Sequence, residues 1–184
     1  MAGIGHNRGP ELGSTAWRRH AWGRARRDLL PSLPIEVVRL RVARAQALGL
    51  DYRTYASVRA ATGHDVVGFL FSTNALQMLR RGEAPPEARA ARLAQLAADR
   101  TALAQPPLDP AQVLGLAPLD AAHSAPSFGL GWAAMRDHLA GVIRSRGVPA
   151  NRLLVVGETA AERDWSEAAR TAGYLSGARY FGAA

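Results

Sequence analysis

Val66-Val67-Gly68-Phe69-Leu70-Phe71 and Arg152-Leu153-Leu154-Val155-Val156-Gly157 decide the fold. Both are short apolar runs in which no polar residue alternates with the apolar ones. A strand that reads this way is buried on both faces, as inside a parallel sheet covered by helices. Around the two runs the sequence turns to helical spacing. Pro34 stands where a first-turn proline belongs, and Val37, Val38, Leu40, Val42, Ala45 and Leu48 recur at helical intervals up to Gly49. Asp51 can cap a second helix, Tyr52–Ala61, which Gly63 stops in a left-handed conformation. Asp65 offers a competing reading of the first run, as the cap of a helix through residues 66, 69, 70, 73, 76 and 77; the strand is preferred.

Further along, Pro86–Ala104 predicts one amphipathic, Ala-rich helix, and the Pro-rich stretch Gln105–Pro118 holds a short strand at Val113–Leu116. His123–Phe128 reads as a loop, Gly131–Arg146 as a helix ended by Gly147, and Ala160–Ala172 as a helix ended by Gly173. Strands alternating with helices imply an α/β fold with a mostly parallel sheet flanked by helices, the runs 66–71 and 152–157 lying adjacent or one strand apart. Upstream, residues 1–14 carry little apolar side chain and predict a flexible lead, and residues 15–34 predict a basic helical arm. Residues 35–184 then form a single α/β domain.

The 184 residues are 48% hydrophobic and 21% charged, which suits a globular domain. There is no cysteine, so disulfide, thiolate-zinc and thiol-nucleophile chemistry are excluded. There is also no lysine, which excludes Schiff-base and P-loop-lysine mechanisms. No apolar stretch approaches the roughly 18 residues of a membrane span, and no secretory signal is evident, so the cytoplasm is the expected compartment. The net charge of +8 is lopsided: residues 1–59 hold eleven arginines against four acidic residues, a balance of +7.

Candidate chemistry gathers at two strand ends. Phe69-Leu70-Phe71 runs into Ser72-Thr73-Asn74, and Leu153–Val156 runs into Gly157-Glu158-Thr159, each expected to lead straight into a helix. Strand C-termini meeting helix N-termini form a crevice where free N–H groups suit a small anionic ligand. The same residue types also cap helices with no ligand at all.

These stretches resemble a known family. Gly147–Glu158, followed by Asp164 and then by Ala168, Ala172 and Gly173, resembles the last motif region of haloacid-dehalogenase-like (HAD-like) hydrolases. In that family a buried strand ends in Gly-Asp, another Asp follows, and an Ala-rich helix ends in Ala-Gly. Ala61–Gly68 leading to Phe71-Ser72-Thr73-Asn74 is similar to the second motif, in which a Ser or Thr beside Asn binds phosphate. The resemblance spans about residues 55–180 and implies a Rossmann-like core. Two departures bear on activity. The family's nucleophile is the first Asp of an Asp-x-Asp motif ending an N-terminal strand, and this chain contains no Asp-x-Asp. The third-motif Lys or Arg has only an arginine such as Arg136 or Arg144 to stand in for it. Glu158 replaces the usual Asp, although with Asp164 it could hold a magnesium ion. The resemblance thus implies a non-catalytic domain that binds a small anionic ligand or a protein partner, with a magnesium-dependent phosphatase of atypical nucleophile as an alternative.

The five histidines show no ligand spacing, and Ser lacks a Gly-x-Ser-x-Gly elbow. The remaining candidate is the arm, where Trp17, Arg18, Arg19, Trp22, Arg24, Arg26 and Arg27 interleave indoles with guanidiniums. That composition suits contact with nucleic acid, with an acidic protein or membrane surface, or a helix whose arginines simply face solvent. Ala43–Gly63 faintly resembles a helix-turn-helix, but its second helix carries only Arg53 and Arg59.

Overall fold

A computed structural model describes residues 33–182. The expected lead and nearly all of the expected arm, with every Trp and Arg proposed for partner contact, lie outside the described residues. The chain divides into two compact units, residues 1–39 and 40–184. Of the first, residues 33–39 are described; they open helix α1 (Ile35–Ala47), with Glu36 and Arg39 paired 3.6 Å apart on its exposed surface.

The second unit holds the sheet. Its elements after α1 are α2 (Tyr52–Thr62), β1 (Gly68–Ser72), α3 (Glu87–Ala94), β2 (Asp99–Ala104) and α4 (Pro110–Leu116). They continue with β3 (Ala121–Ser124), α5 (Trp132–Ser145), β4 (Leu153–Gly157), α6 (Ala160–Ala168), β5 (Gly173–Ser176) and α7 (Gly177–Gly182). The five strands are all parallel, in the order β3-β2-β1-β4-β5. The chain is therefore an α/β fold, and the two deciding runs are adjacent strands, Gly68 opposite Leu153.

Alternation sorts the buried side chains onto two faces. Phe69 and Phe71 of β1, with Leu154 and Val156 of β4, pack against Leu48, Tyr55, Leu93, Val113 and Tyr180. Leu70, Leu153 and Val155 point the other way, against Leu139, Val142 and Ile143 of α5 and Trp165 of α6. Helices on both faces explain why β1 and β4 read as unbroken apolar runs. Asp51 caps α2 by accepting from Thr54 N at 2.9 Å, and Gly63 closes it at φ 73°, both as the sequence predicts.

Five segments depart from expectation. The predicted Pro86–Ala104 helix ends at Ala94, and Asp99–Ala104 is β2, flanked by β1 and β3. An interior strand can use alanines because its neighbours lie on either side, and this packing overrides alanine's helix preference. Val113–Leu116 belongs to helix α4, which Asp109 caps by accepting from Ala111 N at 2.7 Å, with Pro110 in the first turn. The stretch read as a loop from His123 begins inside β3. Helix α6 stops at Ala168, and Gly173 opens a fifth strand. After β1 no helix follows: Leu76 N donates to Ser72 O and Met78 N to Thr73 O, forming tight turns. Among the described residues no helix is long and apolar enough to cross a membrane.

Candidate functional site

The strand order reverses at β1, with β2 on one side and β4 on the other. The crevice at the C-terminal ends of these strands is where open parallel sheets take ligands. The turn after β1, Gln105 after β2, and the β4–α6 junction supply its polar groups.

Ser72 and Thr73 are fully buried. Ser72 Oγ accepts from Ala75 N at 3.0 Å, which closes the turn, and Thr73 Oγ1 accepts from Gln105 N at 3.0 Å, which ties β1 to the chain leaving β2. Asn74 Nδ2 donates at 2.8 Å to Glu162 Oε1, and Gln105 Nε2 donates to the same oxygen at 3.2 Å. The other carboxylate oxygen accepts from the backbone N–H of Glu158 at 2.5 Å and of Thr159 at 2.9 Å. Glu162 N in turn donates to Thr159 Oγ1 at 3.3 Å, completing a capping box at the start of α6. Glu162 is 0% exposed. Its carboxylate thus takes the position, and the N–H donors, that a bound anion would use.

Gly157 makes room for this arrangement, since a Cβ there would stand 2.7 Å from Glu162 Cβ and 3.0 Å from the Tyr174 ring. Burial, and then the negative charge of Glu162, push the Tyr174 phenol above its ordinary pKa, with Arg163 opposing. Glu158 faces outward. Its side chain lies against Gly177 and near Arg89, whose pKa burial lowers and Glu158 raises. Arg89 itself sits 4.8 Å over the Phe181 ring and donates to Ala75 O.

Asp164 is exposed on α6 and lines a pocket of about 150 Å³ with Gln105, Phe128, Leu130 and Trp165, a pocket that Glu158 does not line. Among the described residues no three His, Asp or Glu side chains converge on a possible metal position. Of the sequence-predicted site residues, Asn74, Glu158 and Thr159 come together around one carboxylate, and Gly157 accommodates it. Sequence reasoning missed Glu162 and Gln105. The local signal for Glu162 was present, as Thr159-x-x-Glu162 is a capping-box pattern. Its partners 88 and 57 residues away leave no local trace.

Fold and site together define a doubly wound, all-parallel α/β domain whose switch-point crevice holds a buried carboxylate of its own, Glu162. Comparison of the chain with protein-family models, with curated proteins and with solved structures finds no match.

Proposed function

We propose that this chain is a non-catalytic, HAD-like α/β domain that works by binding a protein partner. The observation that carries the reading is Glu162. An incoming phosphate would meet a buried carboxylate already holding the N–H groups of residues 158 and 159 and the amides of Asn74 and Gln105. Among the described residues no strand precedes β1. Ser72-Thr73-Asn74, which the resemblance matches to the phosphate-binding second motif, are three uncharged side chains each hydrogen-bonded within the protein, and the sequence offers no Asp-x-Asp as nucleophile. Positioning without a nucleophile gives binding and no turnover. The cytoplasm is the compartment assigned on this reading.

The test is enzymatic and by titration. Full-length protein with magnesium leaves a generic phosphate ester unhydrolysed, and inorganic phosphate binds no tighter than about millimolar. Hydrolysis abolished by Asp164→Ala, or phosphate binding that shifts the amide resonances of residues 158 and 159, overturns the reading.

Charge distribution favours a second reading, nucleic-acid binding through the N-terminal third, where +7 of the +8 net charge resides. It requires retention on DNA or RNA that weakens linearly in log salt, and a shallower slope when Arg18, Arg19, Arg26 and Arg27 become Ala. No retention at low salt removes it.

A further inference from the structure

We infer that the outer edge of β5, unpaired among the described residues, is a docking site for an extended, acidic segment of a partner protein, which adds there as a sixth parallel or antiparallel strand. This names the partner class of the binding reading above and rests on that reading. Among the described residues β5 is the terminal strand of the sheet and pairs with β4 alone. Alternate residues of a strand turn their N–H and C=O groups to opposite neighbours, so part of its backbone faces outward with no described strand to meet. Of the usual protections of such an edge β5 has its shortness but neither proline nor a charged residue in Gly173-Tyr174-Leu175-Ser176. At the other edge the ring of His138 on α5 is hydrogen-bonded to Ser124 O of β3 at 2.8 Å.

All four residues of β5 line an open groove of about 440 Å³, walled by Arg163, Ser166 and Glu167 of α6 and by Arg179 of α7. A backbone presenting unpaired donors and acceptors along a groove selects an extended chain. The two arginines select its side chains. Arg163 lies 5.1 Å over the ring of Tyr174, on the α6 face of the sheet, whereas Arg179 donates to Thr54 Oγ1 at 2.7 Å, on the α2 face. Both are exposed, and among the described residues neither makes a direct ion pair, although the charge of Arg179 reaches the Asp51 carboxylate and Glu167 shares the groove wall. Side chains of an added strand alternate between faces, so one carboxylate reaches each arginine only when the two are an odd number of residues apart. A second copy of this chain would bring its own arginines to the same edge, and like charges facing each other disfavour that occupant.

The experiment uses full-length protein and a fluorescent peptide of about ten residues, mainly Val and Thr, with a pair of Glu at odd spacing. The peptide binds, and its affinity falls about tenfold in Arg163→Glu and again in Arg179→Glu. Moving the glutamates to even spacing weakens binding, replacing them with lysine abolishes it, and N-methylation of alternate peptide nitrogens abolishes it by removing the ladder donors. Equal binding of the N-methylated or lysine peptide, or affinity unchanged in both arginine variants, overturns the proposal. So does a dimer by sedimentation that the peptide does not compete away, since a second copy would then hold the edge. Failure here with the crevice still closed to phosphate removes the β5 assignment and leaves the non-catalytic reading standing.

Discussion

The two ends of the parallel sheet handle charge in opposite ways. At the N-terminal ends of the strands, arginines meet carboxylates in part-exposed pairs. Arg146 binds Asp99, with Nε 3.1 Å from Oδ2; Arg100 and Asp120 approach to 2.7 Å; and Arg44 and Asp65 approach to 2.9 Å, with Tyr55 OH donating to the same aspartate. At the C-terminal ends one carboxylate, Glu162, is fully buried and is satisfied by amide and backbone N–H groups alone. Part-exposed pairs gain little because water and salt compete for both partners. A buried carboxylate surrounded by donors is costly to lose, since every donor is left unpaired when it goes. The end where α/β proteins usually take a ligand is here built as a permanent internal contact, and the opposite end stays exchangeable with solvent.

The strongest way to break this comparison is Glu162→Ala. It removes the acceptor of four donors in a closed site, and the expected loss is about 3 kcal/mol by urea unfolding. Glu162→Gln keeps the shape and one acceptor, and its loss is about 1 kcal/mol. A Glu162→Ala protein as stable as the parent would show a crevice already open to water, and would return it to consideration as a ligand site.

How far this architecture was legible follows from what each element needs. β1 and β4 announced themselves because a strand covered on both faces can use apolar residues without interruption. β2 did not. Asp99-Arg100-Thr101-Ala102-Leu103-Ala104 continues an Ala-rich helical pattern, and only its place beside β1 makes it a strand. β5 was hidden for a different reason, since Gly173 reads equally as the stop of a helix and as the start of a short strand. α7 was not foreseen at all. Its Tyr180 enters the face of Phe69 and Phe71 and donates to Leu48 O at 3.1 Å, a contact spanning 132 residues. At the site the caps were readable and their joint purpose was not, because Asn74, Gln105 and Glu162 meet only through the sheet order.

At the exposed end a smaller effect sharpens the contrast. Asp99→Asn weakens the pair with Arg146 and the contact to Thr101 Oγ1, which donates to Asp99 Oδ1 at 2.6 Å. The expected loss is about 1 kcal/mol at low ionic strength, shrinking in molar salt. The Glu162→Ala loss should hardly change with salt, because the site is closed to ions. Equal salt dependence at the two ends would mean that both are solvated, and the distinction between them would fall.

The smallest effect is read from pH. The Arg100 hydrogen bonds, ahead of the opposing effect of burial, hold the Asp120 carboxyl below the usual carboxylate range. Its folded-state pKa lies under its unfolded one, so the stability it contributes is fully present above about pH 4 and is lost as pH falls through the depressed folded value. Asp120 is part-exposed, and screening keeps the contribution below about 1 kcal/mol. Parent and Asp120→Asn should therefore differ by a constant small margin from neutral pH to about pH 4 and converge in more acid solution. Urea unfolding at a series of pH values measures this directly. A margin that persists to the lowest pH would mean that Arg100 draws no benefit from the ionised carboxylate, leaving shape as the link between β2 and the start of β3. A margin that grows with acid would reverse the sign and place Asp120 among groups stabilised by their proton, against the geometry of its two bonds to the Arg100 guanidinium.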